Sequence, residues 1–381
     1  MNPSTSASTP PGAPARAAVR QHQAFLAQRY FPALDGVRGL AIVAVLWHHA
    51  LPRFESGWLG RGHVGVRLFF ALSGFLISTR LLAERRATGS IQLGHFWLRR
   101  ALRIFPLYYA VLGLFALYLG LRAADAGSQH FFQNLSFHAS YTSNWFVDYA
   151  VSHPVWFAFG WSLATEEQFY AWWPPVLRRS RRLTGAVLAL LGVLLLQQLA
   201  VYGALDPWLA GHASVQRVLV SFAPALSLGA LLALALEGRS GFAALWTLCG
   251  RWPAALAALA TFVLGLLLAT GQGAPLLLDL AFVLLVASVV LAPQTWLARA
   301  LTVRPLRELG RISYGIYLFH VPMLGGLRRL WPWLAEHPGL LFPLGLGLSA
   351  GAAALSYRFF EAPLLELAPA RAPAAFQIGF Q

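Results

Sequence analysis

Arg38 and His49 are eleven residues apart in one apolar stretch of this sequence, and their types and spacing suit work on a common substrate. On an ideal helix eleven residues make roughly three turns, so the two side chains share a face about 16 Å apart. A neutral imidazole can take the proton of a hydroxyl as general base, and a guanidinium can hold a phosphate. A line of that length suits a long substrate with one end at a membrane face and the other deeper. Each residue also has a plainer role: Arg38 can anchor a helix start at the headgroups, and His49 can be an interfacial histidine bonded to a neighbour. His48 beside it does not make a metal pair, because adjacent helical side chains point about 100° apart. No metal is expected.

Three other stretches place polar groups where an apolar helix is expected. Trp161-Ser162-Leu163-Ala164-Thr165-Glu166-Glu167-Gln168-Phe169-Tyr170 holds two successive carboxylates among aromatic and apolar residues. A charge at mid-bilayer costs about 2.5–3.5 kcal/mol on the gentler insertion scale, so each needs a reason. One glutamate can orient and charge-balance an imidazole while the other forms an ion pair with an arginine on another helix. Ser73-Gly74 interrupts a second apolar run, where small residues serve close helix packing or a substrate contact. Arg99, Arg100 and Arg103 lead into a third. Such a cluster suits the phosphates of a nucleotide carrier and equally serves as a plain topology signal.

These residues need apolar helices to position them, and the composition supplies them. Of 381 residues, 57% are hydrophobic and 11% charged, against roughly a quarter charged in soluble domains. Mean hydropathy is +0.58. Apolar runs fall near 34–52, 64–83, 104–121, 156–177, 183–202, 218–236, 252–270, 275–293, 312–327 and 338–357, long enough in most cases to cross a bilayer. The expectation is an all-α, polytopic integral membrane protein of about ten transmembrane helices. The segment 84–100 reads as a separate surface helix anchored by Phe96 and Trp97.

The net charge of +15 comes entirely from arginine. Its placement in short loops points to membrane topology and excludes a nucleic-acid partner. Arg80 to Arg103, Arg178 to Arg182 and Arg299 to Arg311 share one side if the amino terminus is cytoplasmic. Arg53, Arg61, Arg328 and Arg329 fall on the other side, against the rule. The balance predicts a multi-pass protein of the bacterial inner (cytoplasmic) membrane with both termini cytoplasmic. Residues 1–30 read as a disordered cytoplasmic segment, 31–365 as the membrane domain and 366–381 as a cytoplasmic tail. No internal repeat of the kind that builds many transporters is visible. The single cysteine, Cys249, cannot form an internal disulfide.

Six motifs in order resemble the type-3 membrane acyltransferase family, the O-acetylases and O-acylases of lipopolysaccharides, exopolysaccharides, nodulation signals and macrolides. Leu34-Asp35-Gly36-Val37-Arg38-Gly39, with His49 after it, is similar to the family's opening. Gly65 to Ile77, Arg99 to Tyr109 and Trp161 to Tyr170 look like its next three signatures. Gly310 to His320 and Ser356 to Glu361 look like the closing two, with Phe319 where the family often has Trp. The resemblance covers roughly residues 30–365. It implies O-acyl transfer from acetyl-CoA or a longer acyl-CoA, a donor co-substrate with no bound cofactor, to a hydroxyl of a glycan or glycoside acceptor among membrane lipids. It implies catalytic roles for His49 as base, with Glu167 or Asp35 fixing its tautomer. It implies substrate binding by Arg38, Arg100 and Arg103 at the donor, with Glu166, Tyr170 and Ser73 beside them. Some members carry an added soluble esterase-like domain, and a second acyl-handling step is not expected in these 381 residues. The alternative reading is a polytopic transporter of a lipid or sugar, which would give flux without consuming acyl-CoA. The outer loop 123–155, with His130, Asn134, His138, Tyr141, Asn144 and Trp145, has sugar-binding residue types.

Overall fold

The computed structural model describes residues 13–51, 64–250, 263 and 276–366, and every regular element among them is helical. Hydrocarbon offers no partner for a backbone N–H or C=O, so a spanning segment must satisfy its own, and helices do so. The principal helices are α1 (Ala13–Ala27), α2 (Pro32–Ala50), α3 (Val64–Thr88) and α4 (Leu93–Gly120). Three short helices follow in a loop, α5 (Ala126–Gln133), α6 (Leu135–Ala139) and α7 (Ser143–Phe146), before α8 (Gly160–Arg179) and α9 (Leu183–Val201). Then come α10 (Ala213–Ser221), α11 (Pro224–Glu237), α12 (Arg239–Cys249), α13 (Leu276–Leu291), α14 (Arg304–Arg311), α15 (Ser313–Leu330) and α16 (Pro338–Ser356). The protein is an all-α, multi-pass membrane protein.

By length and composition α3, α4, α9 and the helical stretch Pro338–Glu366 can each cross a bilayer. Counting the bent pairs α1–α2 (66°) and α10–α11 (44°) as single spans raises four to six, among the described residues. The expected ten are not reached by this measure. The polar residues that build the site explain part of the shortfall. Glu166 and Glu167 make α8 less apolar, and His320, Arg328 and Arg329 do the same to α15, although both helices are continuous. At 16 residues α13 is short. The expected run 252–270 lies outside the described residues apart from 263, as do Arg53 and Arg61.

Two sequence expectations are corrected here. Residues 13–27, expected to be disordered within 1–30, form α1. The face made by His22, Phe25 and Leu26 packs inward, at the i, i+3, i+4 spacing of an amphipathic helix. His22 Nε2 donates to the carbonyls of Leu236 (3.1 Å) and Glu237 (3.2 Å), and its ring meets Phe242 at 4.9 Å. Alanine, frequent in this stretch, is the best of helix formers. Residues 1–12 lie outside the described residues.

The separate surface helix over 84–100 does not exist either. Its first part completes α3, which stops before Gly89 (φ +76°), a conformation that a side chain would resist. Its last part is the beginning of α4, continuous to Gly120 despite Pro106. The Trp97 indole donates to Tyr170 O (3.0 Å), which ties this end of α4 to α8.

Packing of the core helices is close. A Cβ built on Gly74 of α3 would lie 2.0 Å from Leu226 O, and one on Gly229 of α11 would lie 2.2 Å from Ala71 O. The two backbones therefore touch, as small residues allow in membranes. An ion pair fastens α3 to α13: Arg67 Nε and Nη2 donate to the two Asp279 oxygens at 2.7 and 2.6 Å. Asp279 is fully buried.

Candidate active site

The polar side chains gather at two levels along α2. Near its amino end a cavity of about 50 Å³ is walled by Arg38, Ser73, Arg80, Arg100, Arg103, Glu166, Tyr170 and Tyr314, with apolar residues between. Five helices contribute, each with one or two polar residues in an apolar face. Arg100 and Arg103 are three apart on α4, and Ser73 and Arg80 are seven apart on α3, so each pair shares a helix face. Arg38 Nε donates to Ser313 Oγ at 3.3 Å, and Tyr314 OH donates to Ile104 O at 2.6 Å. These two bonds hold the start of α15 against α2 and α4.

Glu166 is the hub of this cavity. Its Oε1 accepts from Ser73 Oγ, from Tyr170 OH and from Arg100 Nη2 (3.4 Å). The Arg100 guanidinium lies 3.8 Å above the Tyr170 ring, a cation–π geometry, and its Nε is 3.8 Å from Glu167. Hydrogen bonds and a flanking ring fix the plane of Arg100, which planar recognition of an oxyanion requires. A wider cavity of about 310 Å³ adjoins this one, with Arg38, Leu76 and Arg80 in both walls. Its lining adds Tyr30, Asp35, Arg86 and Glu237 from the amino-terminal part of the chain and from α3 and α11. Together they run from a broad mouth to a narrow arginine-lined end.

The second level is at the carboxyl end of α2. His49 Nδ1 is 2.9 Å from Val45 O, one turn back on the same helix. A carbonyl only accepts, so Nδ1 is the donor in this bond. His320 of α15 lies edge to face with it, ring centroids 4.7 Å apart. Arg328, also on α15, donates to the carbonyls of His49 (2.7 Å) and Ala50 (3.2 Å), closing the end of α2. That explains one arginine that violated the topology pattern: it satisfies a helix terminus.

The predicted site residues thus separate into two groups. Arg38, Ser73, Arg100, Arg103, Glu166 and Tyr170 meet in one cavity, with Glu167 behind Arg100. His49 stands about 16 Å away along α2. Asp35 does not orient His49 as expected. Fourteen residues of helix separate them, about 21 Å, and Asp35 accepts instead from Tyr30 OH at 2.5 Å. Glu167 faces Arg100, and a backbone carbonyl, not a carboxylate, sets the His49 tautomer. Ser73 and Gly74 divide the two readings of that motif, Ser73 facing Glu166 and Gly74 facing α11.

Several sugar-binding types in the loop 123–155 are taken up internally. Asn144 and Gln168 exchange amide hydrogen bonds (3.0 and 2.8 Å), Trp145 donates to Ser221 Oγ (3.0 Å), and His138 is buried under Tyr108 and Phe157. Burial pushes the His138 imidazole down to about 4. Sequence reasoning passed over Arg80 and His320 as site residues. A lone arginine or histidine inside an apolar run is the signal that both carry.

Comparison with known proteins places the chain as a whole. The family model for an acyltransferase domain matches residues 31–358. The peptidoglycan O-acetyltransferase OatA of Listeria monocytogenes is 30% identical over 376 residues, covering 88% of this chain and 56% of the relative. The O-acetyltransferase OatA of Staphylococcus aureus is 27% identical over 372 residues, with 88% and 57% covered. YrhL of Bacillus subtilis is 32% identical over 333 residues, with 78% and 49% covered. This chain spans about half the length of the curated relatives it matches. No solved structure matches it. With six motifs in order, a helical membrane fold and a family match over most of its length, the chain belongs to the acyltransferase domain family.

Proposed function

We propose that this enzyme moves an acetyl or other short acyl group from acyl-CoA to a hydroxyl of a glycan of the cell surface. The observation that carries the reading is the cavity that brings Arg38, Arg80, Arg100 and Arg103 together around Glu166, at the narrow end of a wider mouth. Four guanidiniums in one wall suit the phosphates of a nucleotide carrier. His49 stands about 16 Å further along the same face of α2, a distance that a thin acyl-bearing arm can span.

In this reading Arg38, Arg100 and Arg103 hold the donor, with Arg80 beside them. The acceptor hydroxyl comes to the other end of α2. His49 Nε2 takes its proton as the oxygen attacks the thioester carbonyl. The carbon–sulfur bond then breaks, and the proton passes to the departing thiolate, which leaves as free coenzyme A. Glu166 and Tyr170 keep Arg100 in plane. The relatives' names support acetyl as the group and peptidoglycan as a model acceptor for this chain. The arginine-rich loops support a cytoplasmic donor side and cytoplasmic termini in a bacterial inner membrane.

The test uses labelled acetyl-CoA and solubilised peptidoglycan strands with membranes bearing wild type, His49→Gln or Arg100→Ala. Transfer by wild type, near-abolished by His49→Gln at unchanged donor affinity, is the expected result. General-base help is worth about 10²–10⁴ in rate. A folded His49→Gln enzyme at wild-type rate would remove His49 from the chemistry. Loss of donor binding in Arg100→Ala is expected, and undiminished binding would remove the cavity from the donor site.

A further inference from the structure

The two adjoining cavities differ in what they can hold. Ligand sites run from about 300 to about 1,000 Å³. The narrow cavity, at about 50 Å³, admits an arm or a phosphate and no nucleoside, whereas the wide one, at about 310 Å³, enters that range. Arg38 and Arg80 stand in both walls, which makes the junction between the cavities cationic.

The wide cavity sits in the corner where α1 and α2 meet at a bend of 66°. The family match begins at residue 31, so α1 and residues 28–30 precede it, yet they form much of this wall. His22 fastens α1 to the end of α11, and Arg86 does so from α3. Arg86 Nη2 donates to Leu26 O at 3.2 Å and its Nη1 to Glu237. Those contacts use only part of a guanidinium's donor set. Tyr30 is held twice: its hydroxyl donates to Asp35 (2.5 Å), and Gln28 Nε2 donates to its carbonyl (3.0 Å). Arg29, Arg38, Arg80 and Arg86 line the cavity against two carboxylates, Asp35 and Glu237, so positive charge is in excess. A held aromatic ring beside fixed cations suits a nucleotide, whose base stacks while its phosphates pair.

We propose that the wide cavity seats the adenosine 3′-phosphate 5′-diphosphate head of the acyl-CoA donor. Tyr30 stacks on the base, Arg29 and Arg86 meet the ribose phosphate, and Arg38 and Arg80 meet the diphosphate at the junction. The acyl-bearing arm runs on from there into the narrow cavity. The segment that precedes the family match thereby selects the donor by its head. The proposal rests on acyl-CoA as the donor.

Truncated donors test it on the full-length wild-type protein in bilayer nanodiscs, with no variant needed. Adenosine 3′,5′-bisphosphate, a head without arm or thioester, is expected to displace labelled acetyl-CoA. Acetyl-3′-dephospho-CoA should bind at least about tenfold more weakly than acetyl-CoA, and acetyl phosphopantetheine, the arm alone, more weakly still. Tyr30→Ala should weaken acetyl-CoA binding about fivefold to a hundredfold, the worth of one stacked base, and leave acetyl phosphopantetheine binding unchanged. Arg29→Gln should narrow the preference for acetyl-CoA over its 3′-dephospho form. Equal affinity for the three thioesters, or no displacement by the bisphosphate, overturns the proposal while acyl-CoA stays the donor. An equal loss of both thioesters in Tyr30→Ala would make that ring structural and overturn its role at the base. Failure of acetyl-CoA itself to bind or donate in wild type would sink the donor reading, and this proposal with it.

Discussion

The Arg67–Asp279 pair predicts an asymmetry that can be worked from the structure. Removing one member of a buried ion pair costs about 3–5 kcal/mol, because the other charge stays behind uncompensated. The two members differ in what they leave. The Arg67 side chain is 23% exposed and can lean partly toward polar surroundings, whereas Asp279 is 0% exposed. Asp279→Leu should therefore fall near the lower figure and Arg67→Met near the upper one. The double variant Arg67→Met/Asp279→Leu leaves no charge and should return to within about 1 kcal/mol of wild type or exceed it. Reversible unfolding of the purified protein by dodecyl sulfate in mixed micelles measures all four stabilities. The double variant should also keep transfer activity, since Arg67 is six residues, about 9 Å, along α3 from Ser73. Single variants within about 1 kcal/mol of wild type would show that the pair sits in a wet, high-dielectric setting. A double variant as unstable as the sum of the singles would show that the two charges act separately, and either result refutes the reasoning.

Other outcomes follow from the same geometry. Arg100→Lys keeps a charge but loses the planar face over Tyr170 and the second donor, so donor KM should rise about tenfold with kcat little changed; an unchanged KM would place the donor elsewhere. Asp35→Asn, remote from His49, should retain most of kcat, and a loss matching that of His49→Gln would restore the carboxylate to the proton step. Gly74→Val drives a side chain into Leu226 O and should cost about 1–3 kcal/mol or more, read as lost micelle-stable protein, whereas wild-type stability would mean that α3 and α11 can part. His138 is neutral in the folded loop down to about pH 4, while an unfolded imidazole takes its proton near 6.5. The unfolded chain thus binds more protons in that window, so stability should fall as pH drops from 6.5 to 4, by at most about 3 kcal/mol. His138→Phe should flatten this slope, and an unchanged slope would assign it to other groups.

Much of the cavity was legible because charge is rare in apolar helices. Arg38, Glu166, Arg100 and Arg103 each stood out against their own segment, and a shared destination is the cheapest way to satisfy them. Partnership was less legible than presence. Which carboxylate meets which cation depends on helix rotation and on neighbours more than two hundred residues away, as Arg67 and Asp279 show at a separation of 212. Glu166 and Glu167 are adjacent, yet one gathers three donors and the other flanks a guanidinium edge. The expectation for Asp35 came with the family resemblance and not from helix geometry, which sets it fourteen residues, about 21 Å, from His49. Continuity of α4 through Pro106 was hidden for a different reason. The arginines at 99–103 separated the surface helix read over 84–100 from the apolar run that begins at 104, whereas one helix covers both and its Trp97 is tied to α8.

The placement of Arg38 and His49 bears on why one helix would carry both ends of a transfer reaction. Phosphate binding wants fixed cations and tolerates water, whereas proton transfer from a hydroxyl gains from a dry surrounding that makes a hydrogen bond to a cation strong. Putting both on one level would leave guanidiniums beside an imidazole that must become positive, and like charges at close range oppose that step. Three turns of α2 separate the requirements. At about 16 Å the interaction is weak in any hydrated medium, yet the rigid helix keeps the distance constant, so a donor of fixed length presents its carbonyl at His49. Residues inserted between Arg38 and His49 should therefore act differently by number. A single alanine rotates His49 about 100° from the shared face and should abolish transfer. Four restore the face but lengthen the path by about 6 Å, and should leave donor binding intact while transfer stays lost. Transfer retained by the four-residue insertion would show that the face alone matters and that the distance between the two levels does not.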